Sequence, residues 1–345
     1  MNISKDLGKS ALTAVGISGG VDSTASALML KELGHKVIGV TMTLGRGNEE
    51  AELESARKAA ENLDIELKVF DFSGEWHRLV IEYIRSTYQA GRTPNPCIRC
   101  NETVKMRLLP QAAFELGCDH FATGHYARLA TGADGRVTLM RAKDRAKDQS
   151  YFLYRVDRET LKRTIFPLGG MTKSEVREYA LGRGIKAAGK TDSQDFCGGD
   201  VLEIAGAEIP GDIVDLSGRK LGRHRGFWHY TIGKRKGLGI GGGTPYYVVA
   251  LNAARNEVVV GFKEDTVRFD FDISDVVGGE RLQGELTVKI RSGGEPKGPV
   301  TVRLNADGSA KVFCPSGISG VAPGQSAVFY RGDEVIGGGI ILANT

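Results

Sequence analysis

The chain has 345 residues, 41% hydrophobic and 26% charged, with a formal net charge of +4. Two or three domains are expected at that length; no apolar run could span a bilayer, and the polar start from Met1 to Ser10 lacks the centre of a signal peptide, so a cytoplasmic protein with reduced thiols is predicted. Five cysteines, at 97, 100, 118, 197 and 314, argue against a secreted disulfide framework, and the mildly basic balance permits nucleic acid without establishing it.

Leu12 to Ile17 is a short apolar run of the kind that makes a buried parallel strand, and Ala25, Leu28, Met29 and Leu33 recur at helical spacing. They flank Gly16-Ile17-Ser18-Gly19-Gly20-Val21-Asp22-Ser23. Strand, glycine loop, helix is the order of a phosphate cradle. Gly19 and Gly20 carry no Cβ, so backbone N–H groups can close on an anion where the helix N-terminus adds partial positive charge, and Ser18 and Ser23 add hydroxyl donors. The Walker A lysine is missing, as is the dinucleotide fingerprint. The competing reading is an ordinary turn with Asp22 as helix N-cap.

Strand-like Lys36 to Leu44, helical Glu49 to Leu63 and strand-like Ile65 to Phe72 continue the alternation. Helical patterns follow at Glu75 to Ala90 and Asn101 to Leu116, then a strand at His120 to Thr123, a short alternating run at Arg136 to Arg141 and a helix at Thr172 to Gly184. This predicts a parallel sheet with helices on both faces and ligands at the carboxyl ends of its strands, where His125 of Gly124-His125-Tyr126 falls. Beyond Cys197, glycine-punctuated alternation at Tyr246 to Leu251, Glu257 to Gly261, Leu286 to Arg291 and Val300 to Leu304 reads as all-β, with Gly261 to Phe271 as the joint between a middle domain and a barrel.

Thr93-Pro94-Asn95-Pro96-Cys97-Ile98-Arg99-Cys100-Asn101 delivers two cysteines from a proline-stiffened loop to a helix start. There the helix terminus, Arg92 and Arg99 are expected to favour thiolate over thiol. Half of a structural zinc site is the alternative, although neither a second CxxC nor a finger-spaced His pair follows. Cys197 sits in a polar, glycine-flanked segment, whereas Cys118 and Cys314 read as small buried side chains. Lys147-Asp148-Gln149 joins a basic run with Arg141, Lys143 and Arg145. The densest cluster is Arg219 to Lys236, with seven Lys or Arg, no acid, and Phe227, Trp228, His229 and Tyr230 interleaved. Cations with stacking rings suit RNA; the alternative is a solvated hairpin with its rings in the core.

Ser18-Gly19-Gly20-Val21-Asp22-Ser23 resembles the pyrophosphate loop of the ATP pyrophosphatases, which cleave ATP between the α and β phosphates. Joined to GRTPNPCIRCN at Gly91, ATGHYAR at Ala122, KDQSYFL at Lys147, DSQDFC at Asp192, YTIGKRKGLGIGG at Tyr230 and PGQSAVFY at Pro323, it makes the chain similar, from Ala11 through Leu342, to the tRNA-specific 2-thiouridylase family. The resemblance implies an α/β fold: a doubly wound parallel-sheet pyrophosphatase domain over 1–200, a small central tRNA-binding domain over 201–265 and a C-terminal β-barrel over 266–345. It implies ATP, with Mg2+, at Gly16, Ile17, Ser18, Gly19, Gly20, Val21, Asp22, Ser23, Met42 and Gly124, and the target base at Asn95, Pro96 and Cys97. Further tRNA contacts are implied at His125, Lys147, Asp148, Gln149, Arg291 and Gln325.

The implied reaction adenylates the C2 oxygen of the wobble uridine and then replaces AMP with sulfur, Cys197 carrying the persulfide and Cys100, the second catalytic thiol, closing a disulfide with it. A persulfide donor or sulfur-relay protein is then a partner, the working form is expected to be a monomer, and no resident metal is required. The alternative route holds an iron–sulfur cluster on Cys97, Cys100 and Cys197. Three departures from the family's pattern stand out: a short segment after Met42, Gly198-Gly199 following Cys197, and Ser292 following Arg291. Two other functional classes share part of these features. One is a pyrophosphatase acting on a small molecule or another RNA position, with its cysteines merely structural; the other is a nucleotide-switched tRNA-binding protein that releases no pyrophosphate.

Overall fold

The computed structural model describes residues 11–47, 49–185, 204–241 and 243–343. These fall into two compact units. The first draws on 11–80, 97–185 and 333–335, and the second on 81–96, 204–332 and 336–343.

The first unit opens with β1 (Leu12–Gly16), α1 (Val21–Glu32), β2 (Lys36–Thr43), α2 (Glu50–Asn62) and β3 (Leu67–Asp71). After α3 (Pro96–Cys100) and α4 (Leu109–Glu115) come β4 (His120–Ala122), the antiparallel pair β5 (Ala127–Thr131) and β6 (Val137–Arg141), β7 (Thr164–Ile165) and α5 (Lys173–Leu181). Five parallel strands lie in the order β3-β2-β1-β4-β7, with Leu12 opposite Lys36 and Thr13 opposite His120. Right-handed crossovers in that order place helices before and after the reversal on opposite faces. Val15 and Ile17 pack with Ala27 and Leu30 of α1 and Ala56 and Ala59 of α2, while Val21, Ala25 and Met29 meet Val176, Tyr179 and Ala180 of α5. Small side chains along α1 let it serve both neighbours. The order reverses between β1 and β4, and the turns leaving those two strands, at 17–20 and 123–125, therefore flank the crevice where such sheets bind ligands.

The helical stretch after Pro96 is not regular. Asn101–Leu108 is a π-helix, and Met106 departs from helical geometry at φ −112°, ψ 15°. Pro110 lies four residues later, in the first turn of α4; its ring would strike the carbonyl of Met106 in a straight α-helix, so the backbone yields there.

In the second unit, β8 (Gly211–Asp215), β9 (Lys220–His224), β10 (Tyr247–Asn252) and β11 (Glu257–Gly261) form a sheet in the order β10-β11-β8-β9. A six-stranded barrel follows: β12 (Val267–Val277), β13 (Leu286–Lys289), β14 (Lys297–Leu304), β15 (Ala310–Ser319), β16 (Ser326–Arg331) and β17 (Glu334–Ile341), in the order β12-β15-β14-β13-β16-β17. Pairing of β12 with β17, Ile273 opposite Ile341, closes it around Phe271, Ile273, Val288, Val312 and Phe329. β12 begins at Val267, inside the stretch expected to be a joint. Its Phe271 and Ile273 supply barrel core, so the connection from β11 shrinks to residues 262–266.

Candidate functional site

The glycine loop turns between β1 and α1 as a phosphate cradle requires. Gly20 is the helix N-cap with no side-chain cap on the amides of the first turn, which excludes the reading of Asp22 as cap. The serines brace the loop: Ser18 donates its backbone N–H to Ser23 Oγ at 3.2 Å, and Ser23 Oγ donates to Gly20 O at 3.1 Å. Gly19 sits at φ +76°, where an added Cβ would come 2.5 Å from Ser55 of α2. Gly124 approaches from β4 so closely that a Cβ there would stand 2.9 Å from the Asp22 carbonyl carbon. Gly16 closes β1, and Met42, half-buried, lies near the carboxyl end of β2 opposite Phe70.

Asp22, the second residue of α1, points to partners that the motif alone did not reveal. Its carboxylate accepts from Tyr126 Oη at 2.9 Å and from Lys173 Nζ at 2.9 and 2.8 Å. His125 is buried beside them and shares a 2.8 Å hydrogen bond with Thr123 through Nδ1. Desolvation, then repulsion from the Lys105 ammonium, holds its pKa well below the histidine range, so the imidazole is neutral at pH 7.

The cysteine pair differs from expectation. Cys97 is half-buried near the start of α3, but Cys100 is 1% exposed, and burial pushes its thiol up to about 12; the nearby Lys105 ammonium only partly offsets this. Cys100 is therefore a thiol at rest, not the predicted thiolate. Arg99 contributes little because its guanidinium is turned to Leu79 O at 3.0 Å and Glu102 at 3.2 Å. Lys105 keeps part of its surface exposed, yet desolvation lowers the pKa of its ammonium. Arg46, from the short segment after Met42, also favours the Cys100 thiolate electrostatically. That segment is folded by Glu49, whose carboxylate accepts the N–H groups of Leu44 and Gly45 at 2.8 and 2.9 Å. Cys118 and Cys314 are buried, as their surroundings suggested.

Among the residues expected at tRNA, Asn95 and Gln325 meet although 230 positions separate them, with Asn95 Nδ2 3.4 Å from Gln325 Oε1. Gln325 Nε2 also donates to Thr93 O at 3.2 Å and Pro94 O at 2.7 Å, and Thr93 N–H donates to Pro323 O at 2.8 Å. Arg291 is exposed beyond β13, and Pro96 begins α3. Lys147, Asp148 and Gln149 do not share one role. Asp148 turns inward, accepting the N–H of Ala142 and Ser150 at 3.0 and 3.2 Å and pairing with buried Arg141 at 3.5 Å, so its carboxylate offers nothing to a ligand. Gln149 Oε1 accepts the Tyr126 N–H at 2.8 Å, and Lys147 is half-buried.

The basic run from Arg219 is likewise revised. Phe227, Trp228 and Tyr230 are 7 to 8% exposed, so the rings are core and cannot stack on bases. Although the run contains no acid, Asp215 pairs with Arg219 at 3.1 Å and Asp212 with Lys220 at 2.7 Å. Arg223 and Arg225 remain mostly exposed, 3.8 Å from their acidic neighbours. Cys197 and the Asp192 segment lie outside the described residues. No group of three metal-capable His, Cys, Asp or Glu side chains occurs among the described residues.

Sequence reasoning passed over Lys173, Tyr126 as a partner of Asp22, Lys105 and Arg46. For Lys173 a signal existed: Thr172 and Glu175 form a capping box that fixes Lys173 as the first residue of α5, a position where the helix dipole disfavours a cation.

Residues 12–198 match a family model described as a tRNA methyl transferase HUP domain, residues 199–262 a tRNA methyl transferase PRC-barrel domain, and residues 273–341 an aminomethyltransferase beta-barrel domain. A tRNA-specific 2-thiouridylase of Chloroflexus aurantiacus is 45% identical over 95% of this chain and 97% of its own length. Those of Endomicrobium trichonymphae and Geobacter metallireducens are 43% and 42% identical over 95% of this chain, covering 98% and 96% of their own.

Proposed function

Because the chain belongs to the tRNA-specific 2-thiouridylase family, we propose that it is an ATP-dependent sulfurtransferase that replaces the C2 oxygen of the wobble uridine of tRNA with sulfur. The observation that carries this reading is the uncapped glycine loop, closed from β4 by Gly124 and lying in the same compact unit as the cysteine pair. Oxygen at C2 is a poor leaving group. The loop and the first-turn amides of α1 are suited to hold the polyphosphate of ATP while the uridine oxygen attacks the α phosphate and pyrophosphate departs. Mg2+ would accompany the nucleotide.

The terminal sulfur of a persulfide on Cys197 then attacks C2 and expels AMP. Cys100 attacks the Cys197 sulfur, the S–S bond breaks toward the base, and a Cys100–Cys197 disulfide remains for an external thiol to reopen. Burial of Cys100 supports a role late in that sequence, after the site has opened. Asn95, Pro96 and Cys97 would face the base, with Lys147, Gln149, His125, Arg291 and Gln325 near the rest of the tRNA. In this reading the domains run over 1–200, 201–265 and 266–345. The enzyme works as a monomer in the cytoplasm, supplied by a persulfide donor or sulfur-relay protein; among the described residues no helix is long and apolar enough to cross a membrane.

Deleting the gene should remove 2-thiolated wobble uridine from hydrolysed tRNA, read by nucleoside mass spectrometry, and purified protein should release pyrophosphate only when tRNA is present. An unchanged nucleoside profile would overturn the reading. Binding should also be salt-sensitive. Replacing Arg223, Arg225 and Lys234 together by Ala is expected to weaken tRNA affinity about tenfold or more and flatten the slope of log K against log salt by roughly two to three, since each lost phosphate contact means one counterion fewer released. If neither quantity moves in a filter-binding titration, that basic stretch is ordinary surface.

A further inference from the structure

Lys173 stands where a charge argument says it should not. As the first residue of α5 it faces the positive end of a helix dipole, and it is 7% exposed. Its surroundings hold it there. Its N–H donates to Asp144 at 2.9 Å; Glu175, completing the capping box, is gripped by Lys143 at 2.7 Å; and its ammonium reaches across to both oxygens of Asp22. A buried lysine placed against the dipole and bound bidentately to the second residue of another helix is built for that partner. Asp22, in turn, lies in the loop that must accept the most highly charged part of ATP.

We propose that Lys173 is a positioning residue that supplies the cation the loop lacks: by neutralising Asp22 and, with Tyr126, fixing its carboxylate, it makes the cradle accept polyphosphate. A Walker A loop carries its lysine within the motif, whereas this loop receives one from 151 residues away. The three donor contacts occupy most of the acceptor sites of the carboxylate and leave about one direction open, enough for a water or a metal ion accompanying the phosphates. Without Lys173 the carboxylate would stand uncompensated beside three or four phosphate charges, in a site of lowered dielectric where that repulsion is strongest.

The inference rests on the reading of the loop as an ATP site, and its test separates the two. ATP binding at fixed free Mg2+ is measured by calorimetry on the full chain, with tRNA affinity and thermal melting recorded alongside. Lys173→Ala should weaken ATP by at least about tenfold with tRNA affinity unchanged, and Lys173→Arg should recover part of the loss. The decisive variant is Lys173→Ala combined with Asp22→Asn: removing the orphaned carboxylate charge should restore most of the affinity that Lys173→Ala loses. A double variant as weak as the single would overturn neutralisation of Asp22 as the role of Lys173, as would a Lys173→Ala protein that binds ATP normally. Wild-type protein that binds ATP yet thiolates no tRNA would overturn the functional reading and leave the Lys173 comparison standing; wild-type protein that binds no ATP would overturn both.

Discussion

Cys100→Ser and Cys197→Ser should each reduce tRNA thiolation by roughly a thousandfold or more, while Cys97→Ser lowers it only about tenfold, because a persulfide route needs one sulfur carrier and one resolving thiol and a hydroxyl replaces neither. Thiolation is read by nucleoside mass spectrometry with aerobically purified protein and a persulfide donor. Equal loss at all three cysteines, with activity appearing only after anaerobic reconstitution with iron and sulfide, would instead establish the cluster route. The burial of Cys100 adds a second readout. With its pKa at about 12, it should react with iodoacetamide at pH 8 far more slowly than half-buried Cys97 in the resting protein, and peptide mapping after brief labelling separates the two. The same burial has a stability consequence of fixed sign. A thiol whose folded pKa exceeds the unfolded value, about 8.5, contributes its full share below that value and loses it as pH climbs towards 12. Alkaline unfolding should therefore set in at lower pH for wild type than for Cys100→Ser, compared against each protein's stability at pH 7.

Gly19→Ala should eliminate measurable ATP binding and destabilise the protein by about 2–5 kcal/mol. Its left-handed backbone costs an alanine roughly 1–2 kcal/mol, and the new Cβ would overlap Ser55 of α2, adding a packing cost of about 1–3 kcal/mol. Loop or helix must shift, and either motion misplaces the amides of the cradle. Gly34→Ala is the control: Gly34 has φ +91° with nothing within 4 Å of the added Cβ, so it should lose only the conformational part and bind ATP normally. Urea denaturation and calorimetric titration measure both quantities. Similar ATP affinity in the two variants would mean that contact with α2 does not shape the loop.

The strand, loop and first helix were legible because three signals coincide within residues 12–33: a buried β-branched run, glycines at the turn and helical spacing beyond it. What resisted reading was long-range or directional. β7 has two residues, too few for any periodicity, and is a strand only because β4 lies beside it. The π-helix at 101–108 reflects a proline nine residues past the first of its positions, an effect on backbone geometry with no compositional mark. Charge deceived twice. Asp148 stands in a basic, polar run yet faces inward on Arg141, and the rings beside Arg223 and Arg225 are core because burying an aromatic surface outweighs keeping it for a partner in the empty protein. The start of β12 shows the reverse failure. Val267, Phe269, Phe271 and Ile273 alternate cleanly with charged residues, a strand signal that outweighs the reading of 261–271 as a joint.

Gln325 receives its own orders from the end of the last strand: Ile341 N–H donates to Gln325 O at 2.8 Å, and Gly324 N–H donates to Ile341 O at 2.9 Å. Since Gln325 helps to hold Thr93, Pro94 and Asn95, the loop proposed to meet the uridine gains its full set of contacts during synthesis only once β17 has been made. The phosphate loop is completed far earlier in translation, as soon as α5 supplies Lys173 for Asp22. A nascent chain can thus assemble its capacity for nucleotide long before it has a surface for the base. Removal of β17 would take away the backbone pairing that fixes Gln325 and leave the base loop without that support.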